Sequence, residues 1–249
     1  MPKQIDTIIN GKGGVGKSFF AVNFIQYLKD QSIPHTAIDT DNENSTLKRF
    51  HGEAEFLDIS DPKQIDTILA SLEKSDLVVV DCRAASTDIF LDYFEELQIF
   101  ELLKSAGASM TVVSPVNHET DSLEQIRNLS ERLADQCRYV VVKNEALTEQ
   151  FRNYEQSKTR THLFEELRAK EIVMPKLYDW LVADLNLHDL TITAAVEHPA
   201  FTVMDRQRLK NWQRRFYEEI DGVRDFLLPS APAKQRRTKG EPKTAGSIA

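Results

Sequence analysis

The sequence has few cysteines, no long apolar run and no internal repeat, and each absence excludes a class of protein. Its two cysteines, Cys82 and Cys137, are far apart and make neither a disulfide framework nor a zinc site. No apolar run approaches the length of a membrane span, and the first residues have no signal-peptide pattern. We therefore expect a cytoplasmic protein whose thiols are reduced.

The formal net charge of −8 is unevenly distributed along the chain. Residues 234–249 carry five basic residues and one acidic residue, a net +4 that leaves −12 on the rest. An acidic body argues against broad nucleic-acid binding, although a local basic patch remains compatible with it. The length suits one sizeable core, so we predict a single domain over 1–228 and a basic, disordered tail over 229–249.

Short apolar runs alternate with helical patterns along the chain. The runs predict strands at 5–10, 35–39, 77–81, 109–116, 139–143 and 172–174. Helical spacing of apolar residues predicts helices at 18–30, 119–134 and 205–227. Alternating strands and helices predict an α/β fold, a doubly wound and mostly parallel sheet with helices on both faces.

Residues 11–18, Gly-Lys-Gly-Gly-Val-Gly-Lys-Ser, fit the pattern Gly-x4-Gly-Lys-[Ser/Thr] between a predicted strand and a predicted helix. Glycines let several backbone N–H groups point at one anion, and the helix N-terminus adds partial positive charge. Lys17 is placed to reach the β- and γ-phosphates, and the Ser18 hydroxyl to ligate Mg²⁺. The predicted nucleotide-binding residues are Gly11, Lys12, Gly13, Gly14, Val15, Gly16, Lys17, Ser18 and Phe19.

Lys12 is a second lysine in a loop that needs only one. The segment from Lys12 to Ser18 resembles the deviant Walker A signature of the ParA, MinD and ArsA-like ATPases. The resemblance implies ATP as the ligand and a homodimer in the ATP-bound state, with Lys12 contacting the partner's nucleotide and Lys17 its own. A surface lysine at the rim of the loop is the alternative.

Two carboxylates, Asp39 and Asp41, follow the second predicted strand on the same side of the chain. Residues 39–47 resemble the Asp-x-Asp-Pro-Gln-x-Ser switch segment of short ParA-like proteins, although Asn42 and Glu43 replace the usual Pro and Gln. The resemblance implies that Asp39 helps to hold the Mg²⁺ shell and that Asp41 positions the attacking water. A solvated acidic turn is the alternative.

Two further polar residues end predicted strands. Asp81 closes a β-branched apolar run, which is a Walker B arrangement suited to a Mg²⁺-bound water, but Cys82 and Arg83 follow where the family usually has Pro. Asn144 ends the fifth strand at a position similar to that of the family asparagine that reads the adenine. A strand-ending asparagine in a turn is the alternative for Asn144.

These residues support slow ATP hydrolysis, because no side chain is an evident fast general base. The resemblance implies that ATP joins two subunits and that hydrolysis, stimulated by a protein partner, separates them. We therefore predict an ATP-dependent dimerising switch that positions or partitions a cargo such as plasmid DNA.

The cargo is open to several interpretations. Residues 37–59 and 85–93 resemble TraL-like proteins of conjugative plasmids, which implies docking on a protein assembly. Non-specific DNA binding would use the basic tail and a basic cluster in the last helix, Arg206, Arg208, Lys210, Arg214 and Arg215. The apolar stripe of that helix favours docking on the body instead. Membrane binding is disfavoured because residues 240–249 lack an amphipathic pattern. A small-molecule kinase or synthetase with a related loop is a further alternative, but no motif indicates the acceptor-substrate pocket that such an enzyme needs.

Overall fold

The computed structural model describes residues 2–42 and 44–229. Glu43, one departure from the switch pattern, and the predicted tail after Pro229 lie outside the described residues.

Seven parallel strands form one sheet, and helices connect them. The strands are β1 (Lys3–Ile8), β2 (Thr36–Asp39), β3 (Glu55–Phe56), β4 (Leu77–Asp81), β5 (Ala108–Val116), β6 (Arg138–Asn144) and β7 (Lys170–Met174). The α-helices are α1 (Lys17–Asp30), α2 (Thr46–Phe50), α3 (Pro62–Ala70), α4 (Thr87–Glu96), α5 (Ile99–Ser105), α6 (Thr120–Leu133), α7 (Arg152–Glu155), α8 (Lys158–Glu165), α9 (Asp179–Leu187), α10 (Ile192–Glu197), α11 (Val203–Gly222) and α12 (Arg224–Leu227). The strand order is β3-β2-β4-β1-β5-β6-β7.

The sheet is covered on both faces, which confirms the predicted doubly wound α/β fold. One hydrophobic cluster lies under α1, α2 and α9 to α12, and a second lies under α3 to α8. All five residues of β4 are buried, with Val79 in the first cluster and Val78 and Val80 in the second. A strand covered on both faces reads as a continuous apolar run, which is why β4 has the clearest signal in the sequence.

Helix α1 is the central helix of the first face. Gly16 precedes it with a left-handed backbone (φ 98°), which turns the chain from the glycine-rich loop into the helix. Phe20, Phe24 and Leu28 follow at four-residue steps and are fully buried. Burying each of these side chains contributes about 1.5–3 kcal/mol, so the loop that precedes α1 is mounted on a firmly packed element.

The predicted helix over 205–227 is wrong at its C-terminal end, because the chain leaves helical geometry at Val223 (φ −126°) and divides into α11 and α12. Thr202 and Asp205 form a capping box that starts α11. The apolar stripe of α11 docks on the body as expected, with Leu209, Trp212, Phe216 and Ile220 buried.

Strand β1 ends at Ile8, two residues before the predicted end, so Asn10 belongs to the loop. Both cysteines are buried and free. Over the described ranges, no helix has the length and apolar character needed to cross a bilayer.

Candidate functional site

The loop between β1 and α1 curls at two glycines. Gly14 (φ +75°) and Gly16 (φ +98°) have left-handed backbones that side chains rarely adopt. A Cβ on Gly16 would also lie 2.4 Å from Asn144 Nδ2, so this glycine is required by its neighbour as well as by its torsion angle. The loop therefore has the curled backbone that a phosphate-binding loop needs.

Lys17, the first residue of α1, is buried at the base of the loop. Its Nζ donates a hydrogen bond to the Lys12 carbonyl oxygen at 3.0 Å, which holds the side chain across the loop. Burial lowers the pKa of Lys17, while the nearby Asp81, Cys82 and Asp41 raise it. A buried ammonium at a glycine-rich loop before a helix N-terminus is suited to a polyanionic ligand.

Asp81, at the carboxyl end of β4, is a fully buried carboxylate whose two oxygens accept no hydrogen bond from the described residues. Burial raises its pKa to about 7, and the neighbouring Ser18 side chain opposes that rise. Buried polar atoms normally have hydrogen-bond partners, so a buried carboxylate without one indicates a site for a ligand or an ion. Mg²⁺ prefers carboxylate and hydroxyl oxygens with water completing its shell, so Asp81 and Ser18 fit this ion.

Asp39 has a different environment from Asp81. Its Oδ1 accepts a hydrogen bond from the Asp41 N–H at 2.9 Å, and its Oδ2 accepts one from the Lys48 N–H at 3.0 Å. Burial raises its pKa, and these two hydrogen bonds oppose the rise. Asp39 therefore binds both ends of the segment that joins β2 to α2. Its place in a Mg²⁺ shell stays a prediction.

Asp41 begins that same segment. Its Oδ1 accepts from the Asn44 N–H at 3.2 Å, and its carbonyl oxygen accepts from the Ser45 hydroxyl at 2.8 Å. No group of three or more His, Cys, Asp or Glu side chains within residues 2–42 and 44–229 forms a ready-made metal site. A cation here would take part of its ligands from phosphate and water, as Mg²⁺ in nucleotide sites does.

The loops after β2 and β4 are joined by Thr40, which the sequence interpretation missed. The Thr40 N–H and hydroxyl both donate to the Asp81 carbonyl oxygen, at 3.0 and 3.1 Å, and the hydroxyl accepts from the Arg83 N–H at 3.1 Å. The Arg83 guanidinium approaches the Asn42 side-chain oxygen at 3.5 Å. Two positions that depart from the family pattern, Asn42 and Arg83, thus face each other.

Lys12 is held within its own chain. Its Nζ lies 3.1 Å from an Asp121 carboxylate oxygen and 3.3 Å from one of Glu119, at the start of α6. These two carboxylates raise the pKa of Lys12, Asp121 the more strongly. The side chain is one-third exposed, so the pairs are open to solvent. Its predicted contact with a partner's nucleotide requires these pairs to separate.

Asn10 anchors the start of the loop and was also missed. It is fully buried, its Oδ1 accepts from the Lys12 N–H at 3.0 Å, and its Nδ2 donates to the Pro115 and Ser122 carbonyl oxygens, each at 3.0 Å. These partners come from β5 and α6, more than 100 residues away, so no local sequence signal reveals them.

Asn144, predicted to read the adenine, contacts the phosphate-loop backbone. Its Nδ2 donates to the Val15 carbonyl oxygen at 2.9 Å, and its Oδ1 accepts from the Ala146 N–H at 3.0 Å. The second contact is the turn that a strand-ending asparagine often makes. Adenine recognition by Asn144 stays a prediction. The hydrogen bond from its amide to the Val15 carbonyl supports the phosphate loop directly.

A cleft of about 500 Å³ opens over the loop. The predicted site residues that line it are Gly13, Gly14, Gly16, Lys17, Ser18, Phe19 and Asp41. The others do not line it: Gly11, Lys12, Val15, Asp39, Asp81 and Asn144. The cleft continues between α2 and α9, past Arg49, Phe50 and Leu185.

Comparison with known proteins gives consistent similarities. The model of the CobQ/CobB/MinD/ParA nucleotide binding domain matches residues 6–157. The TraL protein of Escherichia coli is 28% identical over 238 residues, with 88% of this chain and 98% of that protein covered. The solved MinD of Pyrococcus horikoshii complexed with Mg-ADP is similar in fold (TM-score 0.53, 16% identity, 92% of this chain and 99% of that chain). A candidate plasmid partition protein of Borrelia burgdorferi bound to AMPPNP is similar as well (TM-score 0.50, 15% identity, 89% and 99%).

Proposed function

The chain belongs to the CobQ/CobB/MinD/ParA nucleotide binding domain family, and from this premise we propose that it is a Mg-ATP-dependent dimerising switch with slow ATP hydrolysis. The switch positions or partitions a cargo such as plasmid DNA. The observation that carries the proposal is the buried, unpartnered carboxylate of Asp81 beside Lys17 and Ser18 at the phosphate loop. A carboxylate in that state fits a site that is completed by a cation and a polyanion.

ATP binding uses groups that the loop already presents. Lys17 Nζ exchanges the Lys12 carbonyl for phosphate oxygens, and the backbone amides at the start of α1 contribute to the same anion. Ser18 and Asp81, together with Asp39, would hold Mg²⁺, which would supply neutralisation of the charge on the phosphates. Asp41 lines the cleft and orients a water, and among the described residues that line the cleft it is the only carboxylate and there is no histidine, which supports slow turnover.

Dimerisation follows from Lys12. In the single chain Lys12 pairs with Glu119 and Asp121, and exposed ion pairs of this kind contribute little to stability. A partner's nucleotide offers a denser negative charge, so Lys12 exchanges its carboxylates for phosphate across the interface. Because ATP then binds the dimer better than the single chain, it shifts the population toward the dimer, and hydrolysis reverses the shift.

The basic cluster of α11 gives limited support to DNA as the cargo matrix. Arg206 donates to backbone carbonyls, Arg208 pairs with Asp205, and Arg214 pairs with Glu218. Lys210 and Arg215 have no ion pair in the described part of the chain, which leaves few cations for phosphates.

A second candidate is a conjugal-transfer-associated ATPase that docks on a protein assembly. It is favoured by the TraL relative, whose similarity extends over nearly the whole chain rather than the nucleotide-binding part alone.

The switch is tested by ATP turnover and sedimentation of the wild type, Lys17→Ala and Asp41→Ala. We expect Lys17→Ala to stay monomeric in ATP, because it lacks the ammonium that binds phosphate. Asp41→Ala should remain an ATP-bound dimer, because it binds ATP but does not orient the water. Unchanged turnover in Asp41→Ala would contradict the role given to this residue.

The cargo is tested by binding to random-sequence duplex DNA at about physiological salt, with Mg-ATP, Mg-ADP or no nucleotide and with Lys12→Ala as control. Binding that needs ATP and is lost in Lys12→Ala would support the DNA-based switch. ATP-dependent dimerisation without DNA binding in any state would favour docking on a protein assembly.

A further inference from the structure

Arg83 is a cation in the loop after β4, in the segment where the family pattern usually has proline. It is partly exposed and lines the cleft over the phosphate loop, as Lys17 and Asp41 do. Within the described residues its guanidinium has no ion pair, and its one hydrogen bond, to the Asn42 side-chain oxygen, is 3.5 Å long. A contact of that length is weak, so the charge is available to a ligand in the cleft.

The backbone on either side of Arg83 is fixed to the phosphate-loop segment. The Cys82 N–H donates to the Ile8 carbonyl oxygen at 3.1 Å, and the Ala85 N–H donates to the Gly11 carbonyl oxygen at 3.0 Å. Ala85 has a left-handed backbone (φ 55°), which a residue other than glycine adopts only where its surroundings impose it. The loop after β4 is therefore held along the phosphate loop, with Arg83 between the two points of attachment.

The peptide groups of Arg83 itself are also held. The Thr40 hydroxyl accepts a hydrogen bond from the Arg83 N–H at 3.1 Å, and the Ser86 hydroxyl donates to the Arg83 carbonyl oxygen at 2.8 Å. With the main chain fixed on both sides, the guanidinium can reach a ligand by rotation of the side chain alone.

Arg49 is the second arginine that lines the cleft, and its surroundings differ from those of Arg83. Its Nε lies 3.2 Å from an Asp189 carboxylate oxygen, and its Nη2 donates to the Asn186 side-chain oxygen at 2.7 Å. Arg49 is thus bound within its own chain, whereas Arg83 is not paired among the described residues. Of the two arginines, Arg83 is the one whose charge a ligand can use.

The position of Arg83 indicates which part of a nucleotide it meets. Its guanidinium approaches Asn42, the residue after Asp41, and Asp41 is the residue that we propose to orient the attacking water. That water attacks the γ-phosphate, so Arg83 lies on the γ-phosphate side of the cleft. A guanidinium presents parallel N–H donors that match two phosphate oxygens, which makes arginine well suited to this contact.

We propose that Arg83 is a γ-phosphate-sensing residue, whose guanidinium leaves Asn42 and binds the γ-phosphate of the ATP held by the same chain. ADP lacks that phosphate, so the contact distinguishes the two nucleotides and holds the loop after β4 differently in each. The inference rests on the proposed function, because it takes ATP as the ligand.

The contact is tested by calorimetric titration of the full-length chain with Mg-AMPPNP, which is not hydrolysed, and with Mg-ADP. Arg83→Ala is made in the wild type and also in Lys12→Ala, where nucleotide binding is expected to stay within a single chain. Arg49→Ala is the matched control, because it removes an arginine of the same cleft that is already paired.

We expect Arg83→Ala to weaken Mg-AMPPNP binding by about tenfold in both backgrounds and to leave Mg-ADP binding unchanged. Arg49→Ala should leave the ratio of the two affinities as it is. An unchanged affinity for Mg-AMPPNP, or an equal loss for both nucleotides, would overturn the proposal. A loss seen in the wild type and absent in the Lys12→Ala background would assign the contact to the partner's nucleotide and would overturn it as well.

A second measurement needs no variant of Arg83. Phenylglyoxal modifies accessible arginines, and peptide mass mapping follows each arginine of the Lys12→Ala chain. We expect Mg-AMPPNP to protect Arg83 more than Mg-ADP does, with Arg49 modified equally in both; equal modification of Arg83 would overturn the proposal. A folded wild type that binds neither nucleotide would contradict the proposed function itself, whereas normal binding with no effect of Arg83→Ala would contradict this inference alone.

Discussion

Two buried aspartates lie in the neighbouring strands β1 and β4, and their surroundings differ. Asp6 lies two residues before the end of β1, level with Val79 in the middle of β4, whereas Asp81 ends β4 at the carboxyl edge. Burial raises the pKa of both. Asp6 Oδ1 accepts a hydrogen bond from Gln4, and the nearby guanidinium of Arg138 favours its charged form. Both Asp81 oxygens lack a hydrogen-bond partner in the described chain, although the neighbouring Lys17 and Ser18 favour its charged form.

The Asp6 cluster is closed by α12. Arg138 donates to the Gln4 side-chain oxygen at 2.6 Å and to the Asp225 carbonyl at 2.7 Å, and Gln4 and Thr111 both donate to the Phe226 carbonyl. The comparison shows how two buried carboxyl groups that both have a raised pKa differ in their surroundings. Each aspartate has at least one oxygen without a hydrogen-bond partner in the described chain, but Asp6 belongs to a cluster that ties β1, β6 and α12 together, whereas Asp81 lies beside Lys17 and Ser18 of the phosphate loop.

The largest effect should come from Asp81→Asn, which removes the carboxylate from the carboxyl edge. We expect ATP turnover to fall by about 100-fold or more, because the amide no longer binds a cation as a carboxylate does. Kinetics at saturating Mg-ATP measure this. Near wild-type turnover would remove Asp81 from the site.

The same variant should be more stable than the wild type without ligand. The pKa of Asp81 is about 7 when folded and about 3.9 when unfolded, so its stabilising contribution is complete below about pH 4 and is lost as the pH rises through 7. At about pH 8, urea unfolding should give Asp81→Asn a free energy of unfolding up to about 4 kcal/mol higher than that of the wild type. The difference should vanish below about pH 4.

Arg138→Ala tests the cluster around Asp6. It leaves Asp6 without its cation and removes three hydrogen bonds, so we expect a loss of about 3 kcal/mol in the free energy of unfolding. ATP turnover of the folded fraction should not change. The matched control is Arg152→Ala, at an exposed position in α7. A turnover defect without a stability loss would show that the cluster around Asp6 is not purely structural.

Asn144→Ala sharpens the description of the carboxyl edge. Because the Asn144 amide holds the Val15 carbonyl, its loss should loosen the loop and weaken ATP and GTP binding alike, by about tenfold. Calorimetric titration with both nucleotides measures this. Weakening confined to ATP would instead identify Asn144 as the residue that reads the adenine.

His51→Gln should have the smallest effect. His51 is buried with one ring nitrogen on the Val22 carbonyl and the other beside Lys29, and burial lowers its pKa. The unfolded chain therefore binds the proton first, so the wild type loses stability as the pH falls below about 6.5. The variant should lose less stability between about pH 7 and pH 5. An identical pH slope would contradict a neutral buried His51.

The central strands and the glycine-rich loop could be predicted because their signals are local. β4 is a continuous apolar run, and residues 11–18 carry the loop pattern in consecutive positions. Helix α9 gave no usable pattern, because apolar residues on both of its faces erase the period of an amphipathic helix. β3, with two residues, is too short to show alternation.

The chemistry of the site was only partly predictable for a related reason. Lys17, Asp39 and Asp81 are named by their places in motifs. Asn10 and the carboxylates that hold Lys12 depend on β5 and α6, which tertiary folding brings to the loop from more than 100 residues away. Sequence spacing carries no information about such contacts.

Thr40 has a mechanical consequence for the whole molecule. Its backbone and hydroxyl fasten the loop after β2 to the loop after β4 by three hydrogen bonds. One loop leads to α2 on the first face of the sheet, and the other leads to α4 on the second. We therefore expect a displacement of either loop to be passed to the other, and so to both faces of the sheet.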